Sequence, residues 1–192
     1  RRNSAILVED SFFIDLTPGA LDMIPSGCKA DTIFYTHSHA DHYSVDAALK
    51  AGIKKVYVNS SWYDISLMDF RYKCKPAGVP VPQVIPLCIG APVEVGGVTV
   101  TQLPANHATE YALEQAVIYL LEKYGARILY ATDTGGLPGV ATRMAGIDAH
   151  RKVQPITGLI MESTMGMDYE IDDRFFTHSS AVTVQKTVQV LQ

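Results

Sequence analysis

Short apolar runs separated by polar, glycine or proline residues recur along the 192-residue chain. Runs rich in β-branched and aromatic side chains predict strands, whereas apolar positions three or four residues apart predict helices. The predicted strands are Ala5–Val8, Phe12–Leu16, Thr32–Tyr35, Lys55–Asn59, Val98–Leu103, Gln115–Leu121, Arg127–Ala131 and Gly158–Met161. The predicted helices are "SVDAALKAG", which Gly52 closes, then Ser61–Arg71, Val140–Ala149 and Ser179–Leu191.

Short strands interleaved with helices indicate a mixed α/β (α+β) layer architecture. The first two strands flank the polar pair Glu9-Asp10 and predict a hairpin. Gln115–Leu121 is also compatible with an amphipathic helix, but the strand–turn–strand pattern around "EKYGA" favours a strand. The stretch from Lys75 to Pro92, rich in proline and glycine, predicts short strands at most. With 47% hydrophobic and 19% charged residues, the chain can bury the core of one domain, which we expect to span residues 1–192.

The charge balance changes the choice of partners. A formal net charge of −4 argues against a basic face that holds nucleic acid through its phosphates. Three widely spaced cysteines indicate free thiols rather than disulfides or a paired-cysteine metal site. No apolar run approaches the ~18 residues that span a bilayer. We therefore expect a cytoplasmic protein with no membrane partner.

Three of the six histidines fall within the segment "THSHADHY", at His37, His39 and His42, with Asp41 between the last two. This segment follows a predicted strand and precedes a predicted helix. Residues two apart on an extended turn project the same way, so His37 and His39 can share one ion. Asp41 and His42, farther round the turn, can face a second ion.

Two further candidates follow other predicted strands. His107 lies just beyond the strand that ends near Leu103, and Asp133 just beyond the strand that ends near Ala131. Functional residues commonly sit on loops at the strand ends of layered α/β folds. We therefore expect both residues to join the histidine cluster in one cleft.

The segment "THSHADH", Asp15 at the end of "FFID", His107 in "NH" and Asp133 in "ATDTGG" resemble the metallo-β-lactamase superfamily, in motif order over nearly the whole chain. The resemblance implies an αββα sandwich with a dinuclear metal site. It assigns His37, His39 and His107 to one ion, Asp41 and His42 to the other, and Asp133 to a bridge between them. It also implies that Asp15 orients the histidine loop.

Local departures narrow the branch. Asp133 stands where zinc β-lactamases carry a cysteine ligand, and Tyr43-Ser44 replaces glycines typical of glyoxalase-like thiolesterases. The segments "VTQLPANHATEY", "ARILYATDTGGLP", "LIMEST" and "FFTHSS" instead resemble a phosphodiesterase branch. This branch includes the ribosyl cyclic phosphate phosphodiesterase of phosphonate breakdown and, more remotely, tRNA 3′-processing endonucleases. The resemblance implies that Glu162 and His178 form a proton-handling pair.

The superfamily pattern also implies a final histidine ligand after the last helix and a first strand before "RRNSAILVED". We therefore expect a chain that is truncated at both ends and lacks these terminal elements. The alternative is that His178 replaces the final ligand.

Two divalent ions, zinc or manganese, would activate a shared water as a hydroxide nucleophile. Asp41 could orient this nucleophile, and His178, held by Glu162, could protonate the leaving group. The favoured function is a phosphodiesterase acting on a small cyclic or nucleotide-like phosphodiester, with a homodimer as the assembly considered. Alternatives are a sugar-phosphate lactonase or another carbonyl-directed metallohydrolase, an RNA 3′-end nuclease, and a non-catalytic metal-binding module.

Overall fold

Two five-stranded sheets dominate the computed structural model, which describes residues 4–148, 151–152, 155–167 and 177–191. The chain divides into two units, each containing one of these sheets. The first unit comprises the chain up to Cys88 together with Thr109–Gln115, and the second comprises Ile89–Ala108 together with the chain from Ala116 onward. The mixed α/β class is confirmed, while the single-domain organisation stays a prediction.

The sheet of the first unit follows chain order and is parallel except at its first pair. Its strands are β1 (Ile6–Val8), β2 (Phe12–Ile14), β3 (Thr32–Phe34), β4 (Lys55–Asn59) and β5 (Gln83–Leu87). The helices of this unit are α1 (Val45–Lys50) and α2 (Tyr63–Ala77), with 3₁₀ turns at Pro18–Met23 and Ser60–Trp62. The predicted hairpin is confirmed, since β1 and β2 pair antiparallel.

Both faces of this sheet are buried at β2 and β3, which explains the continuous runs of mainly apolar residues in these two strands. Phe13 packs in one core with Ile33, whereas Phe12, on the opposite face, stacks edge-on against Phe34 at 5.2 Å between ring centroids. All four side chains are at most 3% exposed. The parallel direction of β2 and β3 brings the residues after their carboxyl ends to one edge of the sheet.

Helix α2 corrects the predicted end at Arg71. The "YKCKP" sequence looks polar and contains Pro76, yet the helix continues to Ala77 and ends at Gly78, whose φ of +62° suits a glycine C-cap. Buried Phe70 and Cys74 lie four residues apart, so one apolar stripe continues through this polar stretch. The prediction missed it because a single buried cysteine stands among lysines.

The sheet of the second unit contains β6 (Pro92–Val95), β7 (Val98–Pro104), β8 (Val117–Lys123), β9 (Ala126–Ala131) and β12 (Gly158–Met161). These strands lie in the order β12-β9-β8-β7-β6. A separate two-stranded ribbon pairs β10 (Ile147–Asp148) with β11 (Arg151–Lys152), and the helices are α3 (Gly139–Met144) and α4 (Ala181–Leu191). β7, β9 and β12 run in the same direction, so their carboxyl ends meet at one edge.

The strand assignment for Gln115–Leu121 is confirmed as β8, which pairs with β7 on one side and β9 on the other. The helical alternative is wrong because this segment is a central strand. Helix α3 ends at Met144, short of the predicted Ala149, because Gly146 turns the chain at φ +70°; Ala149 itself lies outside the described residues. No helix among the described residues has both the length and the apolar character that a membrane crossing requires.

Candidate metal centre

Asp15 anchors the histidine segment of the first unit. It directly follows β2, is fully buried, and has a positive φ of +56° that aspartate tolerates better than most residues. One carboxylate oxygen accepts the backbone N–H of Thr36 at 2.8 Å, and both oxygens lie within 3.0 Å of the Thr36 hydroxyl. The carboxylate therefore fixes the backbone at the point where β3 leads into the histidines.

The same network selects the tautomers of two histidines. His42 Nδ1 lies 2.8 Å from Asp15 Oδ2, so the ring donates from Nδ1 to the carboxylate. His37 Nδ1 lies 3.0 Å from the Thr36 hydroxyl, whose own hydrogen is directed to Asp15. Both rings therefore carry the lone pair on Nε2, the form that binds a metal.

His37 and His39 already have the spacing of two ligands of one ion. His37 Nε2 lies 3.0 Å from His39 Nδ1, with the rings nearly perpendicular at 79°. Two nitrogens bound to one tetrahedral zinc at ~2.0–2.1 Å lie roughly 3.3 Å apart. The donor chemistry and spacing of this pair fit a divalent metal.

Asp41 and His42 occupy different environments on the same turn. The backbone N–H of His42 donates to His39 O at 2.9 Å, which closes the turn. Asp41 is exposed, whereas the His42 ring is buried 4.4 Å from the His37 ring, measured between centroids. Among the described residues, neither Asp41 nor His42 belongs to a group of three candidate ligands with all ligand atoms within 4.8 Å.

Glu114 is a residue of this region that the sequence analysis missed. Its carboxylate accepts two hydrogen bonds from Ser38, which lies between His37 and His39. Burial raises the pKa of the Glu114 carboxyl, although the Ser38 donors act in the opposite direction. No sequence signal separates Glu114 from nearby Glu110, since both are acidic residues of one loop.

In the second unit, His107 and Asp133 lie together at the shared edge of β7 and β9. His107 Nδ1 donates to the backbone carbonyl of Thr177 at 2.8 Å, so its Nε2 carries the lone pair. This Nε2 is 3.7 Å from Asp133 Oδ2, within the span that two ~2 Å bonds to one ion allow. Asp133 has a φ of +46°, so the loop holds it in an uncommon conformation for a non-glycine residue.

His178 and Glu162 form a close pair beside Asp133. His178 Nδ1 is 2.9 Å from Glu162 Oε2 and 3.9 Å from Asp133 Oδ1. The rings of His178 and His107 are 4.9 Å apart between centroids. Among the described residues, Asp133, Glu162 and His178 also form a group whose ligand atoms lie within 4.8 Å of one another. Glu162 thus orients the His178 ring by holding Nδ1.

The loops that carry these residues are bound together by two side chains that the sequence analysis did not single out. The Ser179 hydroxyl donates to Thr134 O at 2.6 Å and accepts from the Gly136 N–H at 3.1 Å. The Thr134 N–H donates to Glu162 Oε1 at 2.7 Å. The sequence signal that could have found them is their position, since Ser179 directly follows His178 and Thr134 directly follows Asp133. Ser179 and Thr134 therefore fix the Asp133 loop relative to the His178–Glu162 pair.

The two sheets, the histidines at strand ends and their acidic partners together define a mixed α/β scaffold that carries candidate metal ligands. The sequence profile described as "Beta-lactamase superfamily domain" matches residues 17–192. The chain therefore belongs to the beta-lactamase superfamily, and the resemblance drawn from its motifs is confirmed.

Individual proteins agree with this membership. The chain is 34% identical over 115 residues to a "UPF0173 metal-dependent hydrolase" of Thermococcus onnurineus (strain NA1), covering 57% of this chain and 46% of the relative. The chain thus spans about half the length of that relative.

Solved structures show the same fold at low identity. The metallo-beta-lactamase fold protein YhfI from Bacillus subtilis has a TM-score of 0.70 and 14% identity, covering 96% of this chain and 72% of YhfI. The short form of human tRNase Z has a TM-score of 0.67 and 13% identity, covering 97% of this chain and 80% of tRNase Z. The metallo-β-lactamase fold expected from the sequence is confirmed.

Proposed function

We propose that this chain carries the metal-binding and proton-transfer residues of a metal-dependent hydrolase that cleaves a small cyclic or nucleotide-like phosphodiester. Superfamily membership and the name of the Thermococcus onnurineus relative support a metal-dependent hydrolase. The contact between His178 and Glu162 beside Asp133 carries the phosphodiesterase assignment. Cleavage of a phosphodiester leaves an oxygen that must be protonated, and a carboxylate-held imidazole is suited to that step.

Six residues would hold two divalent ions in this proposal. His37, His39 and His107 would hold the first ion, Asp41 and His42 the second, and Asp133 would bridge them. Imidazole and carboxylate ligands suit zinc, and manganese tolerates the carboxylate-rich side. The Nε2 lone pairs of His37, His42 and His107 support the assignment, because each ring is held through Nδ1. When bound, two such ions lower the pKa of a shared water towards ~7.

The chain's own residues would then position the reactants and move the protons. Asp41 accepts a hydrogen bond from the attacking water and so directs the lone pair of the water oxygen at phosphorus. His178 gives a proton to the leaving oxygen, and Glu162 stabilises the imidazolium through Nδ1. The Thr134 N–H, 2.7 Å from Glu162 Oε1, keeps the carboxylate turned towards His178.

The test is a substrate panel on the intact protein loaded separately with Zn²⁺ and Mn²⁺. The panel contains bis(p-nitrophenyl) phosphate, cyclic ribose and nucleotide phosphodiesters, sugar-phosphate lactones, and a short RNA with a 3′ extension. We expect the highest kcat/KM with a small phosphodiester, and none after metal removal.

Other outcomes would replace the proposal. Preferred lactone turnover would establish carbonyl-directed chemistry, and trimming of the RNA would establish a nuclease. Metal binding without turnover of any substrate would leave a binding module. If the His178→Ala variant were as active as the wild type on phosphodiesters with an alkoxide leaving group, the phosphodiesterase assignment would lose its main support.

A further inference from the structure

Glu114 makes a two-point contact with the residue between two proposed metal ligands. Its Oε1 accepts the backbone N–H of Ser38 at 2.7 Å, and its Oε2 accepts the Ser38 hydroxyl at 2.5 Å. Both donors belong to one residue 76 positions earlier in the chain. A carboxylate held at both oxygens fixes its partner in orientation as well as in distance.

Ser38 controls the direction of both neighbouring histidines. Because peptide bonds are planar, fixing the Ser38 N–H also fixes the peptide plane that joins it to His37. Ser38 lies between the two histidines, so holding both its backbone N–H and its hydroxyl constrains the direction in which the chain leads from His37 to His39. His37 Nε2 and His39 Nδ1, which face each other at 3.0 Å, depend on that direction.

The loop that carries Glu114 is itself braced. The N–H of Glu114 donates to Tyr111 O at 3.0 Å, and the Thr109 hydroxyl donates to the same carbonyl at 3.0 Å. The N–H of Gln115 donates to the Ser61 hydroxyl at 2.8 Å, which attaches the loop to the 3₁₀ turn that precedes α2. These hydrogen bonds fix the backbone of the loop at Glu114, so its carboxylate is held in place next to Ser38.

The contacts of Glu114 distinguish it from a metal ligand. Both of its oxygens accept hydrogen bonds from Ser38. Within the described part of the chain, it also lies outside the groups of three or more candidate ligands whose atoms are within 4.8 Å. Burying a carboxylate is costly unless donors compensate for the lost water, and two donors from one residue do so here.

We propose that Glu114 is a positioning residue that holds the His37–Ser38–His39 turn in the geometry needed to bind the first metal ion. This inference rests on the metal centre of the proposed function but needs no particular substrate. It predicts that removing Glu114 weakens metal binding through Ser38, without removing any ligand.

The experiment measures metal affinity, with no substrate present. Apparent Kd values for Zn²⁺ are determined by chelator competition for the intact wild-type protein, Glu114→Ala, Glu114→Gln, Ser38→Ala and the Ser38→Ala/Glu114→Ala double variant. Co²⁺ absorption spectra report the ligand geometry, and Tm of the metal-free forms reports folding. Glu110→Gln, an exposed acidic residue in the same loop, is the matched control.

We expect Glu114→Ala to weaken Zn²⁺ binding ~10- to 100-fold, the range for removing a group that orients a ligand, and to change the Co²⁺ spectrum. Glu114→Gln should lie between it and the wild type, because the amide oxygen can still accept the Ser38 N–H. The double variant should bind Zn²⁺ only slightly more weakly than Glu114→Ala alone, since both substitutions disrupt the same contact between Glu114 and Ser38. Glu110→Gln should match the wild type.

Two results separate the possible failures. Wild-type affinity in Glu114→Ala, or full additivity in the double variant, overturns the role of Glu114 while the proposed function stands. A wild-type protein that binds no Zn²⁺, Mn²⁺ or Co²⁺ overturns the proposed metal centre, and the inference with it. If Glu114→Ala does not fold, the affinity and spectrum of Glu114→Gln and Ser38→Ala decide the question.

Discussion

At the scale of single residues, Asp15 shows how one buried carboxylate can prepare a ligand without touching a metal. Its contact with His42 Nδ1 requires an acceptor at that position. The amide oxygen of an asparagine at this position could still accept the Thr36 N–H. The group facing His42 Nδ1 would then be the NH₂ group, which donates and cannot accept, or the one oxygen that already accepts from Thr36. The Nδ1 proton then loses its partner, and the Nε2 lone pair is no longer assured.

Asp15→Asn should therefore weaken metal binding by ~10- to 100-fold. It should also lower the free energy of unfolding by about 1–3 kcal/mol, because a buried hydrogen-bond network is left incomplete. Metal titration and urea denaturation check the two effects, with exposed Asp22→Asn as the control. An Asp15→Asn variant with wild-type affinity would contradict the tautomer assignment of His42.

Asp41 and Asp133 differ in the number of ions that each would hold. Asp41→Ala should abolish turnover while one ion remains bound, because His37, His39 and His107 still supply three ligands. Asp133→Ala should reduce the content of both ions, since the bridge serves each. Metal analysis after dialysis distinguishes the two variants. Loss of both ions from a folded Asp41→Ala protein would refute this division.

His178 can be tested through the leaving group. With His178→Ala, kcat should fall by ~10²- to 10⁴-fold on a phosphodiester whose leaving group is an alkoxide, at unchanged metal content. The loss should shrink with bis(p-nitrophenyl) phosphate, because p-nitrophenolate leaves without a proton. Equal losses on both substrates, together with loss of one ion, would instead make His178 a metal ligand.

At the scale of secondary structure elements, α2 depends on a narrow buried stripe. Phe70 is fully buried in the core of the first unit, whereas Tyr72, two residues later on the same helix, is 78% exposed. The helix is therefore held by a few side chains rather than by its whole surface.

Phe70→Ala should lower the free energy of unfolding by about 3–5 kcal/mol, the cost of emptying a buried aromatic site. Tyr72→Ala should change it by less than about 0.5 kcal/mol. Denaturant unfolding of both variants tests the comparison. Similar losses in the two would mean that α2 packs through a different face.

At the scale of the whole molecule, bound metal should stabilise the folded protein. An ion that binds only the folded chain adds about 4 kcal/mol when its free concentration is a thousand times Kd. Treatment with a chelator should therefore lower Tm, and adding Zn²⁺ or Mn²⁺ should restore it. His37→Ala/His39→Ala, which lacks two proposed ligands, should show a much smaller shift. A wild-type Tm that changes neither with the chelator nor with added metal would contradict the metal centre.

Most helices and strands followed from local pattern. Lys55–Asn59 and Gly158–Met161 match the predicted strands residue for residue, because both are short runs with apolar residues at their centre and turn residues nearby. The ends of α2 and α3 were less predictable. Cys74 lies on the buried stripe of α2 only because of tertiary packing, and Gly146 ends α3 within a pattern that still looked helical.

The sequence by itself determined the ligand types and their spacing along the chain, because His37 and His39 are set two residues apart and covalent geometry carries that spacing into the fold. Superfamily membership followed from the same motifs. Only the tertiary structure decided which nitrogen of each ring is held: His42 by Asp15, 27 residues away, and His107 by the Thr177 carbonyl, 70 residues away. It alone also brought Glu114 to Ser38. Such contacts depend on where a distant loop returns, which is set by long-range packing and leaves no trace in local spacing.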